Sequence, residues 1–205
     1  MIELFASAFV TFFVVIDPPG CAPIYAGLSA GASAVQRRAM AVRAVVIAGL
    51  ILLVFALFGE ALLKGLGIEL ASFRIAGGIM LFLIALEMVF EKRTERREDR
   101  AAKVQSDHVD DVSIFPMAMP MIAGPGSIAT VMLLMSRTTG IERSAVVLAA
   151  MLANLLLTLV ALLAAGPLMR MLGRRIEAVI TRLLGVLLAA LAVQFVIDGV
   201  QSQLG

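Results

Sequence analysis

The stretch VVIDPPGCAPIY, residues 14–25, interrupts the first apolar run of the chain. It places one acid, Asp17, and three prolines, Pro18, Pro19 and Pro23, where a hydrophobic helix would be completing a membrane crossing. Drawn as one helix, residues 2–36 would be about 52 Å long at about 1.5 Å per residue, against an apolar bilayer core of about 30 Å. The helix is therefore expected to break, and Pro18–Pro19–Gly20 supplies the means. Proline removes an N–H and clashes with the preceding turn, and glycine accepts backbone dihedrals that other residues avoid.

The rest of the chain explains why a membrane is the frame. Of 205 residues, 61% are hydrophobic and 16% charged, and mean hydropathy is +1.02. A soluble domain averages about 45–50% apolar and about 25% charged residues, so this chain holds more apolar side chains than one soluble core would bury. The near balance of 17 basic and 15 acidic residues gives no sign of a nucleic-acid partner. The single cysteine, Cys21, excludes an intramolecular disulfide. PPGC faintly resembles a lipoprotein cleavage box. Pro18 stands where a small residue is usual, however, and the N-terminus lacks a positive n-region, so the segment is expected to be retained.

Working outward from the opening stretch, six apolar runs are long enough to cross: residues 2–18, 41–63, 73–90, 113–136, 144–166 and 180–200. The expected fold is all-α, a polytopic membrane protein of six transmembrane helices. Lys and Arg concentrate in cytoplasmic loops. Arg37, Arg38, the basic residues between 92 and 103, Arg170, Arg174 and Arg175 fall in odd-numbered loops, against Lys64, Arg137 and Arg143 in even-numbered ones. Both termini are therefore expected outside the cytoplasm.

Residues 91–111, EKRTERREDRAAKVQSDHVDD, form the one long loop. As a helix they would align like charges at i, i+4: Glu91, Glu95 and Asp99 in one row, Lys92, Arg96 and Arg100 in another. Such pairs weaken a helix, so a mobile, solvated cytoplasmic linker is expected, dividing the chain into 1–90 and 112–205. The only histidine, His108, lies in it and is expected to be solvated. With no second histidine and scattered acids, no metal site and no cofactor are expected.

The two halves resemble each other. DPPGCAP faces AGPGSIA, pairing Pro19–Gly20 with Pro125–Gly126; GEALLKGLG faces GPLMRMLG; and FRIAGG faces TRLLG, pairing Arg74 with Arg182 and Gly77 with Gly185, at offsets of 106–108 residues. Three crossings per half put the second half into the bilayer inverted. Inverted repeats are common in secondary transporters, whose substrate site lies near the midplane, built from interrupted helices. The fourth span, with Pro116, Pro120 and GPGS at 124–127, is expected to break as the first does. Broken backbone at membrane depth is tolerated only where protein or a water-filled cavity covers it. Freed N–H groups at a helix N-terminus attract anions such as a carboxylate, while freed carbonyls and Asp17 suit an ammonium or a cation.

The candidate site residues are therefore Asp17, Pro18, Pro19, Gly20, Cys21, Gly124, Pro125, Gly126, Ser127 and Thr130. Each also has an ordinary structural explanation. Asp17 would cap a helix at the interface, and Cys21, matched to Ser127, would pack as a small residue. A second tier comprises Arg74, a partner for Asp17 or a substrate carboxylate unless it snorkels to the interface, with Asn154 and Gln194. Those last two more often serve interhelical hydrogen bonds.

FFVVIDPPGCAPIY, SFRIAGGIMLFLIALEM and FPMAMPMIAGPGSIATV together resemble the MarC family, over nearly the whole chain. This family is also described as small neutral amino acid transporters and is grouped with LysE-type exporters. The resemblance implies a six-span inner-membrane protein that moves small neutral amino acids such as glycine or alanine, coupled to a proton or sodium ion. It maps the family motifs onto Asp17, Pro18, Gly20 and Pro23; onto Arg74, Ala76, Gly77 and Gly78; and onto Pro120, Gly124, Pro125 and Gly126. The first motif of the family reads closer to DPIGNIPIF. Cys21 thus stands where a polar residue follows the glycine, a departure that bears on specificity. The competing reading is a channel or a stress-related structural membrane protein. An intramembrane enzyme would need a nucleophile and base, paired carboxylates or metal ligands at membrane depth, and the spans offer none of these patterns.

Overall fold

The computed structural model describes residues 1–106 and 111–204, with the side chains of 100, 103–106, 168–175 and 177 left out. His108 lies outside the described residues, as do the side chains of Arg100, Lys103, Arg170, Arg174 and Arg175. Among the described residues every regular element is helical: α1 Ile2–Ile16, α2 Pro18–Leu28, α3 Ala34–Gly65, α4 Leu70–Val89, α5 Lys92–Ser106, α6 Pro125–Ser136, α7 Ile141–Leu163 and α8 Ala165–Leu204, with an irregular segment Ser113–Ile122 before α6. Five helical stretches are long and apolar enough to cross a membrane, and Ser113–Ser136 makes six if its bent pair is one span. The polytopic all-α architecture expected from hydropathy is present.

α1 and α2 sit centrally, with Ala8, Phe12, Val15, Ile16, Cys21 and Ala22 buried. α3, α4 and α8 instead present wide apolar faces outward, among them Leu50, Leu57, Leu83, Val186 and Leu187. In water such a surface would drive association; in a bilayer it faces lipid, and the backbone polar groups are satisfied within each helix. At the start of α3, Ser33 and Gln36 bond each other's backbone N–H reciprocally, a capping box that fixes the turn from α2.

α4 and α8 pack along a seam of small residues. A Cβ on Gly78 would lie 2.8 Å from the Ala192 carbonyl oxygen, one on Gly185 3.0 Å from that of Ala85, and one on Gly199 3.0 Å from that of Ala71. The contacting residues step by seven along both helices, and the residue numbers of each pair add to the same value, as antiparallel helices require. With no hydrophobic drive between helices in lipid, backbone approach of this kind supplies the packing.

The charged loop departs from expectation. Residues 92–106 form a helix, α5, rather than a solvated linker, and it packs against α2 and α4. Its like-charge rows disfavour helix locally. What offsets them is tertiary: Arg97, four residues after Arg93, is buried, and both side chains find acceptors on α1 and at the α1–α2 joint.

Candidate functional site

The first break is one residue long. Asp17 adopts a left-handed conformation, φ 58° and ψ 65°, ending α1 and capping α2. Aspartate tolerates this region better than most residues because its short side chain bonds locally. Here Asp17 Oδ1 accepts from the Gly20 N–H at 3.1 Å. The backbone ladder runs on through the joint. The Asp17 N–H donates to Phe13 O at 2.9 Å, and Asp17 O accepts from the Cys21 N–H at 3.0 Å. Pro18 and Pro19 fill positions whose N–H groups would have no intrahelical partner. α1 and α2 consequently remain one 27-residue span.

Asp17 is 1% exposed, and its counter-charge comes from α5: Arg97 Nη1 donates to Asp17 Oδ2 at 2.9 Å. Arg97 Nη2 donates to Ile16 O at 3.4 Å, the same carbonyl that the buried Cys21 thiol reaches at 3.4 Å. Arg93 donates to Val15 O and contacts Met88 Sδ at 3.0 Å. Desolvation, and then the neighbouring Arg97, lower the Arg93 guanidinium to about 10, which leaves it charged at neutral pH. Removing one member of a buried pair such as Arg97–Asp17 costs about 3–5 kcal/mol, because the other charge is left uncompensated.

The second break is longer and uncharged. Phe115 and Met119 are extended, at φ −124°, ψ 126° and φ −131°, ψ 125°. Each precedes a proline, whose ring excludes the α region for the residue before it. The intervening backbone closes in wide turns, Met117 N to Val112 O at 3.3 Å and Ala123 N to Ala118 O at 2.9 Å. α6 then starts at Pro125, bent by 50° from the preceding segment. Gly124 is required there, since a Cβ would overlap the Pro120 carbonyl oxygen. The first N–H groups of α6, from Gly126 and Ser127, have no intrahelical acceptor.

These two breaks meet through α5. A cavity of about 340 Å³ is lined by Pro120, Gly124, Pro125, Gly126 and Ser127 from the second break, by Val15 from the end of α1, and by Arg93, Arg96, Arg97 and Glu87. Gly126 lets α6 approach closely, because a Cβ would press on Ile84 at 2.5 Å and Val15 at 3.4 Å. Arg96 pairs with Glu87. Among the described residues the cavity thus combines a helix N-terminus with three guanidinium groups and one carboxylate, a lining that favours an anionic group.

The remaining candidates fall elsewhere. Pro18 and Gly20 are buried in the joint, with Pro19 partly exposed. Thr130, one turn beyond Ser127, is fully buried with its hydroxyl unpartnered. Arg74 does not reach Asp17. It donates to Ser136 O at 3.0 Å, at the C-terminus of α6. Gln194 is exposed and donates to Asp198 Oδ1 at 2.6 Å, where Asp198 also pairs with Arg137. Asn154 is buried and donates to Phe9 O at 2.8 Å, tying α7 to α1 well before the break. The residues that sequence reasoning missed are Arg93, Arg96 and Arg97. The available signal was the Arg93–Arg97 spacing of four, which puts both on one helical face, together with the need of an intramembrane acid for a partner.

The family model described as MarC family integral membrane protein matches residues 2–204. The chain belongs to the MarC family. This MarC-family protein is 37% identical to a UPF0056 membrane protein of Methanocaldococcus jannaschii, over 99% of this chain and 98% of the relative. It is 34% identical to the UPF0056 membrane protein YvbG of Bacillus subtilis, over 98% and 96%. It is also 34% identical to the UPF0056 inner membrane protein YhgN of Escherichia coli, over 95% of each chain. No solved structure matches. The protein is a multi-pass integral membrane protein.

Proposed function

We propose that this MarC-family protein is a secondary transporter of small neutral amino acids, with glycine, alanine and serine as the first solutes to test. The observation that carries this reading is the cavity between the two broken segments. Its walls offer N–H groups and guanidinium for a carboxylate, and Glu87 among the lining residues offers a carboxylate for an ammonium. A volume of about 340 Å³ suits a solute of a few heavy atoms together with water. The family resemblance points to the same solutes.

Transport would proceed by one half moving against the other. Supporting an inverted repeat, the α4–α8 seam repeats itself at an offset of 107 residues: Gly78 meets Ala192 as Gly185 meets Ala85. Helix neighbours follow the same exchange. α1 packs on α7 while the segment Ser113–Ile122 packs on α3, and α2 packs on α7 and α8 while α6 packs on α3 and α4. In this reading, α5 and the α2–α3 turn are cytoplasmic and both termini lie outside.

Purified protein in liposomes is expected to take up labelled alanine or glycine saturably when a proton or sodium gradient is imposed. Absence of uptake of glycine, alanine and serine under either gradient removes the reading.

A further inference from the structure

Three spans meet at the α2–α3 turn: Ile2–Leu28 and Ile141–Leu163 end there, and Ala34–Gly65 begins there. Around them lies a cavity of about 630 Å³, walled by the last turns of α2, the first turn of α3 and the α7–α8 joint. A cavity where spans terminate sits at the depth of lipid headgroups. Its rim is basic. Arg37 and Arg38 line it, and both are exposed. Among the described residues no acid lines it, and no hydrogen bond or ion pair engages either guanidinium. Arg43, Arg96, Arg97, Arg137 and Arg182, by contrast, each pair with a carboxylate. Ala34 and Ala165, the first residues of α3 and α8, also line the cavity, so two helix N-termini add partial positive charge. The rim is held in place from α2. The Tyr25 hydroxyl donates to the Arg37 carbonyl, while the Ser29 N–H and hydroxyl both donate to the Tyr25 carbonyl, at 3.0 and 2.7 Å.

An apolar track leads away from this rim. Leu163 lines the cavity and is exposed, and Val160, Leu156 and Leu152, also exposed, continue its face along α7. From Leu152 to Leu163 the track is about 16 Å long at about 1.5 Å per residue. That is half of an apolar core of about 30 Å, the reach of an acyl chain within one leaflet. We propose that the cavity is a headgroup site for an anionic phospholipid, with Arg37 and Arg38 holding the phosphate and an acyl chain lying along the Leu163–Leu152 face of α7. Basic residues at a bilayer surface attract anionic lipid in this way. A soluble phosphate would use the rim and leave the track unused, so the track favours the lipid. A lipid seated there ties the α2–α3 turn to the α7–α8 joint, two places distant in sequence. The proposal does not depend on what the protein transports.

The test is native mass spectrometry of the delipidated full chain in detergent micelles, with dioleoyl phosphatidylglycerol, dioleoyl phosphatidylcholine or glycerol phosphate added. Phosphatidylglycerol is expected to bind about tenfold more tightly than phosphatidylcholine, and glycerol phosphate at the same concentration is expected to leave no adduct. Arg37→Gln and Arg38→Gln are each expected to reduce the preference, and the double variant to abolish it. Arg143→Gln, an exposed arginine outside the cavity, is expected to keep it. Equal binding of the two lipids by the unmutated protein overturns the site, and this comparison requires no variant to fold. A preference that the single and double variants retain in full overturns it as well. Glycerol phosphate binding as tightly as phosphatidylglycerol assigns the rim to a soluble phosphate and overturns the lipid.

Discussion

The two interruptions fall at similar stretches of sequence, Pro19–Gly20 and Pro125–Gly126, and are built by different chemistry. At Asp17 the backbone turns through one left-handed residue, the hydrogen-bond ladder continues, and the acid is closed in by Gly20 and Arg97. At 113–124 two prolines force their predecessors into extended backbone, the ladder opens into wide turns, and a cavity remains. A charged break needs a partner and so closes; an uncharged break needs only cover and so can stay open. The arginines of α5 serve both needs, pairing with the acid on one side and lining the cavity on the other.

The charged break is the easier one to damage. Arg97→Gln leaves Asp17 buried without its partner and is expected to lower unfolding stability by about 3–5 kcal/mol, measured by denaturant titration in detergent micelles. At the uncharged break, Gly124→Ala brings a Cβ onto the Pro120 carbonyl and is expected to cost about 1–3 kcal/mol in the same assay, whereas Gly31→Ala, which meets nothing within 4 Å, serves as a near-neutral control. The symmetry behind the comparison is sharpened by the α4–α8 seam. Gly78→Ala and Gly185→Ala press on the equivalent carbonyls of Ala192 and Ala85, and each is expected to cost about 1–2 kcal/mol. Clearly unequal costs would break the symmetry.

The smallest effect lies at Asp111, just before the second break. Hydrogen bonding from Ser113 holds the Asp111 carboxyl below its ordinary 3.8, opposed by partial burial and aided by Arg43 at 2.7 Å. The folded value lies below the unfolded one, so this contribution is complete above about pH 4 and is lost as pH falls through the folded value. Both side chains are well exposed, at 55% and 42%, which limits the pair to about 0.2–1 kcal/mol. Asp111→Asn should therefore narrow the stability difference between pH 7 and pH 3 by no more than that.

Both interruptions were legible in the sequence because proline disfavours the α region for its predecessor: Phe115 and Met119 are extended and Asp17 is left-handed, although Pro23 is accommodated inside α2. The span pattern was legible because bilayer thickness sets a length that hydropathy reveals. α5 was not. Its rows of like charge argue correctly against an isolated helix, and only acceptors distant in sequence, on Val15, Ile16 and Asp17, make it form. The option of Arg74 as a partner for Asp17, offered beside a substrate carboxylate and interfacial snorkelling, is not realised, because pairing depends on which residues the fold brings together and Arg74 binds Ser136 at the far end of α6. The α4–α8 seam was hidden by its period. The contacting residues Gly185, Ala192 and Gly199 step by seven, among small residues that recur throughout so apolar a chain.

A double-mutant cycle between Asp17 and Arg97 tests most directly whether a cation delivered by α5 seals the charged break. Asp17→Asn keeps a side-chain oxygen for the Gly20 N–H, so the cycle with Arg97→Gln isolates the ion pair. A coupling energy of about 2 kcal/mol or more is predicted, with the double variant more stable than Arg97→Gln alone. Strictly additive losses, with no rescue in the double variant, would contradict the account.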